Sequence, residues 1–204
     1  MTYGATALRA TVIMIATPFA LAFAQSAPAT VDRSLVPASS LRAETAPLMI
    51  DLMKAVDGVQ SKMVALAKAT PQAKYLWRPG AGVRSVSEVF LHVAGDNYLM
   101  PALAGTAIPA ATKLDMKNFK TFEAFEKQNM TQGQVVAALD ASFAHLKAAM
   151  TKTTAGDLAV QVDMFGQKTT KQGLWIGTTT HLHEHLGQSI AYARVNGIVP
   201  PWSK

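Results

Sequence analysis

Three of the chain's five histidines fall in the run Thr180-His181-Leu182-His183-Glu184-His185-Leu186-Gly187-Gln188. On an α-helix, residues four apart share a face, with Cβ atoms about 5–6 Å apart. His181 and His185 therefore point the same way and His183 points nearly opposite. Leu174, Thr178, His181, His185, Gln188 and Tyr192 form one stripe at steps of three and four, apolar at its start and so expected to be buried. Two imidazoles on a buried stripe need partners, because an unpaired buried polar group is costly. Neutral imidazole is a common ligand for zinc, nickel, copper and iron. A catalytic metal site typically takes three protein ligands and keeps one position open for water. His92 is the best third ligand, on a stripe with Glu88 and Asp96 at steps of four. A polar histidine face, or core histidines bonded to neighbours, is the competing explanation, and spacing alone leaves both open.

The other candidates carry less. His145 lies beside buried positions of a further helix, and His183 faces away from the pair, so both are expected to be ordinary polar positions or to support a ligand. Glu184 suggests a zinc-protease motif, but that pattern needs His at both ends, and His183-Glu184-His185-Leu186-Gly187 breaks it. Gln188 lies on the ligand face and is expected to orient a ligand or to bond another helix. Asp96 is expected to orient His92 or to face solvent. Gly187, inside the helix, is expected to allow close packing, since mid-helix glycine otherwise costs about 1 kcal/mol.

Four long amphipathic helices must position these residues. The first has Pro47 in its first turn, then Leu48, Leu52, Val56, Val59, Met63 and Leu66 on its core face, and stops near Thr70-Pro71. The second opens at the capping box Ser85-Val86-Ser87-Glu88, buries Val86, Val89, Phe90, Val93 and Tyr98, and closes at Pro101 and Gly105. A short helical piece is expected over 121–127. A second capping box, Thr131-Gln132-Gly133-Gln134, opens the third long helix, with Val135, Leu139, Ser142, Phe143, Leu146 and Met150 inward. Residues 157–170 suit a short strand or a loop. The last helix runs over about 170–196, with Gly197 as its C-cap. The pattern predicts an all-α four-helix bundle with a long crossover between the second and third long helices, which lets those two run parallel.

The start of the chain reads as a secretory signal over residues 1–24. Arg9 is followed by an apolar run over 10–20, and Ala22-Phe23-Ala24 offers cleavage after Ala24. Residues 25–43, rich in Ala, Ser, Pro and Thr, are expected to be a flexible spacer before a domain over 44–204. The apolar run is short for a membrane span, which takes about 18 or more residues; uncleaved, it would be an N-terminal anchor. The chain has no cysteine, which excludes disulfides and thiolate ligands. An exported protein of this kind suits a bacterial periplasm or secreted fraction, with no stable membrane association after cleavage. The formal charge of +6 falls to +5 on loss of Arg9, with no basic tract, so nucleic-acid binding is not expected.

Tyr75-Leu76-Trp77-Arg78-Pro79, Arg84-Ser85-Val86 and Leu91-His92-Val93-Ala94 resemble the first half of a DinB-like domain. The stretch from His181 to Gln188, then Tyr192-Ala193-Arg194 and 196–201, resembles its second half. The resemblance covers about 48–202. It implies a four-helix bundle and a divalent metal, zinc or nickel first, held by His92, His181 and His185. Relatives often carry Arg before the Gly-Gln pair, where this chain has Leu186, so an anion-handling role for that arginine does not transfer. The resemblance further implies hydrolases, transferases that activate small thiols at the metal, and pairing as a homodimer. Thiol cofactors are scarce outside the cytosol, so a metal-dependent hydrolase of a small substrate is the expected activity. A non-catalytic metal-binding bundle and a thiol transferase are the alternatives. Arg78, Tyr192 and Arg194 are weaker candidates for substrate contact, and Trp77 and Tyr192 are expected in the core. An apolar pocket beside an open metal position would favour the enzyme over the binder.

Overall fold

A computed structural model describes residues 38–203, with side-chain surroundings from Leu48 onward. The expected signal segment and most of the expected spacer lie outside the described residues. Four long helices dominate: α1 (Ala38–Ala69), α2 (Val86–Leu103), α4 (Gln132–Thr151) and α5 (Lys171–Val195), with the short α3 (Lys120–Glu126) in the crossover. Residues 38–43, expected in the spacer, belong to α1, and Pro47 lies well inside that helix. Leu41, Arg42, Ala43 and Glu44 are all strong helix formers, which favours helix ahead of the proline.

Both capping boxes form. The Ser85 hydroxyl accepts from Glu88 N–H while Glu88 accepts from Ser85 N–H, and Thr131 and Gln134 do the same for α4. Thr170 caps α5 by accepting from Gly173 N–H, and Gly197 follows the helix with φ +75°. Pro101 sits within the last turn of α2 rather than beyond it.

α1 packs against α4 and α5, and α2 packs against the same two helices. Lys147 pairs with Asp57 at 2.8 Å, and Gln132 donates to the carbonyls of Lys68 and Thr70 at 3.0 and 2.7 Å, so α4 runs antiparallel to α1. The Tyr75 hydroxyl donates to Ala67 O, and Ser87 N–H donates to Tyr75 O, both at 2.9 Å. These bonds pin the start of α2 at the end of α1. α2 and α4 therefore start at the same end and run parallel, joined by the long crossover. His92 beside His185, and Asp96 beside His181, set α5 antiparallel to α2.

The core holds Val56, Val59 and Met63 from α1, Phe90 and Val93 from α2, Leu139, Phe143 and Leu146 from α4, and Trp175 and Leu182 from α5. α2 is buried on nearly every side. Its remaining face is covered by α3, where Phe122 and Phe125 approach Gly95. Between α4 and α5 the chain forms an antiparallel hairpin, β1 (Gln161–Met164) and β2 (Gln167–Thr170). Its two-residue turn, Phe165-Gly166, has φ +58° and +86°. Among the described residues no helix is long and apolar enough to cross a membrane.

Candidate metal centre

α2 and α5 cross where their polar stripes meet. His92, from α2, and His181 and His185, one turn apart on α5, each offer a ligand atom, and all three atoms lie within 4.8 Å of one another. Ring centroids stand 4.4 Å apart for His181–His185, 4.6 Å for His92–His185 and 5.5 Å for His92–His181.

The outer nitrogens are held by partners. His92 Nδ1 lies 2.6 Å from Glu126 Oε1. A carboxylate only accepts, so Nδ1 donates to it, and Nε2 lies on the side of the ring away from Glu126. His185 Nδ1 donates to Gln188 Oε1 at 2.9 Å, and Gln188 Nε2 donates to the Tyr192 hydroxyl at 3.0 Å, which orients the second ring likewise. His181 Nε2 and His92 Nε2 lie 2.7 and 3.1 Å from one oxygen, Asp96 Oδ2. That shared oxygen shows that the inner nitrogens converge.

Electrostatics fit a cation. The hydrogen bond that His181 donates to Asp96 raises its basicity, with burial opposing it. Burial keeps His185 neutral to lower pH than usual, and its like-charged histidine neighbours act in the same direction. Burial pushes the Glu126 carboxyl up, but the hydrogen bonds from His92 and Arg84 outweigh it and hold it below the ordinary range. Arg84 grips Glu126 at 2.8 and 3.3 Å. Three converging imidazoles, two of them with outer N–H groups held by acceptors, are a donor set that suits a transition metal once Nε2 of His92 and His181 give up their contact with Asp96.

The expected site residues divide clearly. His92, His181, His185, Asp96 and Gln188 come together, with Tyr192 behind Gln188. Glu184 is at the edge, its side chain 75% exposed and 3.9 Å from His181 Nδ1. Arg78 is turned away, donating to Glu88 and to Val83 O, both at 2.9 Å. Arg194 is exposed, on the side of α5 opposite His185. His183 is exposed and bonds Thr179 O within its own helix at 2.8 Å. His145 packs against Tyr98 of α2, with centroids 5.0 Å apart, and is not part of the cluster. Trp77 stacks edge-on against the buried Tyr192. Gly187 packs against nothing, since a Cβ there would meet no atom within 4 Å. Its expected packing role is therefore corrected: the position faces open space.

Glu126 and Arg84 are the residues that sequence reasoning missed as partners. Arg84 was part of the resemblance only. No spacing ties Glu126 to His92, because it sits on the short crossover helix; the apolar pair Phe122 and Phe125 one turn before was the available sign that α3 docks.

A pocket of about 330 Å³ opens beside the cluster. His92, His181 and Asp96 form one end; Leu99, Met100 and Phe122 line it, and Phe119 and Phe165 stand at its mouth. A second, more polar cleft of about 550 Å³ lies beyond Glu126, beside Arg84, Lys127 and Gln188.

The family model described as the DinB superfamily matches residues 55–189, most of the chain and all three histidines. The chain belongs to the DinB superfamily. Its bundle is similar to that of a DinB-like protein from Bacillus cereus, at 12% identity and TM-score 0.61, over 74% of this chain and 93% of that one. A DinB-like protein from Bacillus subtilis gives 17% identity and TM-score 0.56, over 73% and 93%. At these identities the likeness is one of fold. A comparison with curated proteins finds no match.

Proposed function

We propose that this DinB-superfamily chain holds a divalent transition metal through Nε2 of His92, His181 and His185, and hydrolyses a small ester or amide. The observation that carries this reading is the convergence of three histidine nitrogens beside a largely apolar pocket whose end is formed by His92 and His181. Such an ion supplies Lewis acidity, which acidifies water and polarises a carbonyl.

The chain's own residues supply the rest. Glu126 and Gln188 fix the rings of His92 and His185, and Arg84 fixes Glu126. Asp96 is assigned as the acid–base group, because its Oδ2, 2.7 and 3.1 Å from Nε2 of His181 and His92, would lie beside an ion held there. It would take a proton from the attacking water and return it to the leaving alcohol or amine. Glu184, largely in solvent, is not placed for this. Leu99, Met100 and Phe122 exclude water from the pocket wall.

The test is to load the full chain with zinc, nickel or cobalt and assay a panel of esters and amides beside Asp96→Asn. Turnover that needs metal and falls about 100-fold or more in kcat in the variant, with metal retained, is expected for loss of a general base. A parent that takes up metal and turns over nothing in the panel would favour the non-catalytic metal-binding bundle.

A further inference from the structure

We propose that the pocket beside the histidines selects a ligand with a flat apolar ring that is neutral or cationic, packed against Phe119 and Phe165 at its mouth. The identification of this ring as part of a substrate rests on the metal-site reading above; the ligand class rests on the pocket alone.

Three phenylalanines from two segments, α3 with its cap and the hairpin, converge on this cavity. Phe122 forms its inner wall. Phe119, just before α3, and Phe165, at the hairpin tip, stand at the mouth, 46% and 58% exposed. Their rings form a chain, Phe122 to Phe119 at 5.8 Å and Phe119 to Phe165 at 6.1 Å. Large apolar side chains left half in water beside a cavity of ligand size are the arrangement that a ring-bearing ligand completes.

Phe165 is there against the preference of its own backbone. A two-residue hairpin turn with both φ values positive favours Asn or Asp before the Gly. A bulky residue at φ +58° is a conformational outlier. The turn is otherwise well made: Gly166 N–H donates to Asp163 Oδ1 at 2.7 Å. The side chain at 165 is thus poorly suited to the turn and well placed over the pocket.

Charge narrows the ligand further. No lysine or arginine lines the pocket; of its carboxylates, Asp96 and Glu126 are paired with His181, His92 and Arg84, which leaves Glu123. Glu123 is exposed, on the pocket side of α3. A cationic substituent is favoured by that carboxylate and by the ring faces, and an anionic one is repelled.

Two probe pairs test this on the full chain. On metal-free protein, fluorine NMR compares 4-fluorobenzylamine with 4-fluorobenzoate. The amine should bind at least about tenfold tighter, and Phe165→Asn should weaken it about tenfold while leaving the thermal midpoint unchanged or higher, since Asn-Gly suits the turn. On cobalt-loaded protein, visible spectra should show benzohydroxamate about 10- to 100-fold tighter than acetohydroxamate, the scale of burying one ring. Equal binding of the two hydroxamates, preference for the benzoate, or an undiminished Phe165→Asn variant would each overturn the inference. Silence of both hydroxamates, with the amine still bound and dependent on Phe165, would overturn the open metal position and uphold the ring pocket.

Discussion

α2 carries buried polar groups on two faces, and the two behave differently. Towards α4, Asn97 Nδ2 donates to the Ser142 hydroxyl at 3.1 Å and His145 packs on Tyr98. Towards α5, His92 and Asp96 meet His181 and His185. Both faces place histidine beside α2. On the α4 side His145 Nε2 has no hydrogen-bond partner among the described residues. On the α5 side three rings converge, two with outer nitrogens held by Glu126 and Gln188. A buried histidine is thus unremarkable chemistry; convergent inner nitrogens with acceptors behind them are what make a site.

Removing an acceptor should separate the two faces most sharply. Glu126→Ala is expected to weaken metal binding about 10- to 100-fold, read by competition with a chromophoric chelator. His145→Ala should leave that affinity unchanged. On the α4 side the expected consequence is one of stability. Ser142→Ala leaves buried Asn97 without its only side-chain partner among the described residues and should cost about 1–3 kcal/mol in denaturant unfolding, with metal stoichiometry intact.

A third prediction uses protonation of the lone histidine. Burial, aided by the Lys152 charge, lowers the His145 pKa from its usual value of 6.5. The unfolded chain therefore binds the proton first as pH falls, and stability declines below about pH 6.5 until the folded value is passed. Unfolding free energies across that range should flatten in His145→Gln relative to the parent. The smallest effect is at Gly187, which faces open space in mid-helix. Gly187→Ala should raise stability by up to about 1 kcal/mol.

The bundle was legible because its signals are local. The two capping boxes, Gly197 and the apolar steps of three and four fix where α2, α4 and α5 start and stop, and a long crossover implied that α2 and α4 run parallel. The His181–His185 pair was legible for the same reason, since the helical period alone places both rings on one face. His92 required tertiary structure to be more than a candidate. Glu126 was invisible because its link to His92 depends on how α3 docks across Gly95, and no period in the sequence encodes that. The hairpin was only half legible: residues 157–170 suited a strand, but Phe165-Gly166 lacks the usual Asn-Gly turn signal. Arg78 and Arg194 show the converse, since residue type alone said nothing about direction.

The central claim is that the α5 face of α2 holds a metal and the α4 face does not. Elemental analysis of tag-free protein, after loading and desalting, tests it directly on the parent, His181→Ala/His185→Ala and His145→Ala. About one equivalent of transition metal is expected in the parent and in His145→Ala, and none in the double variant. A parent that retains no metal, or a double variant that retains as much as the parent, would contradict it.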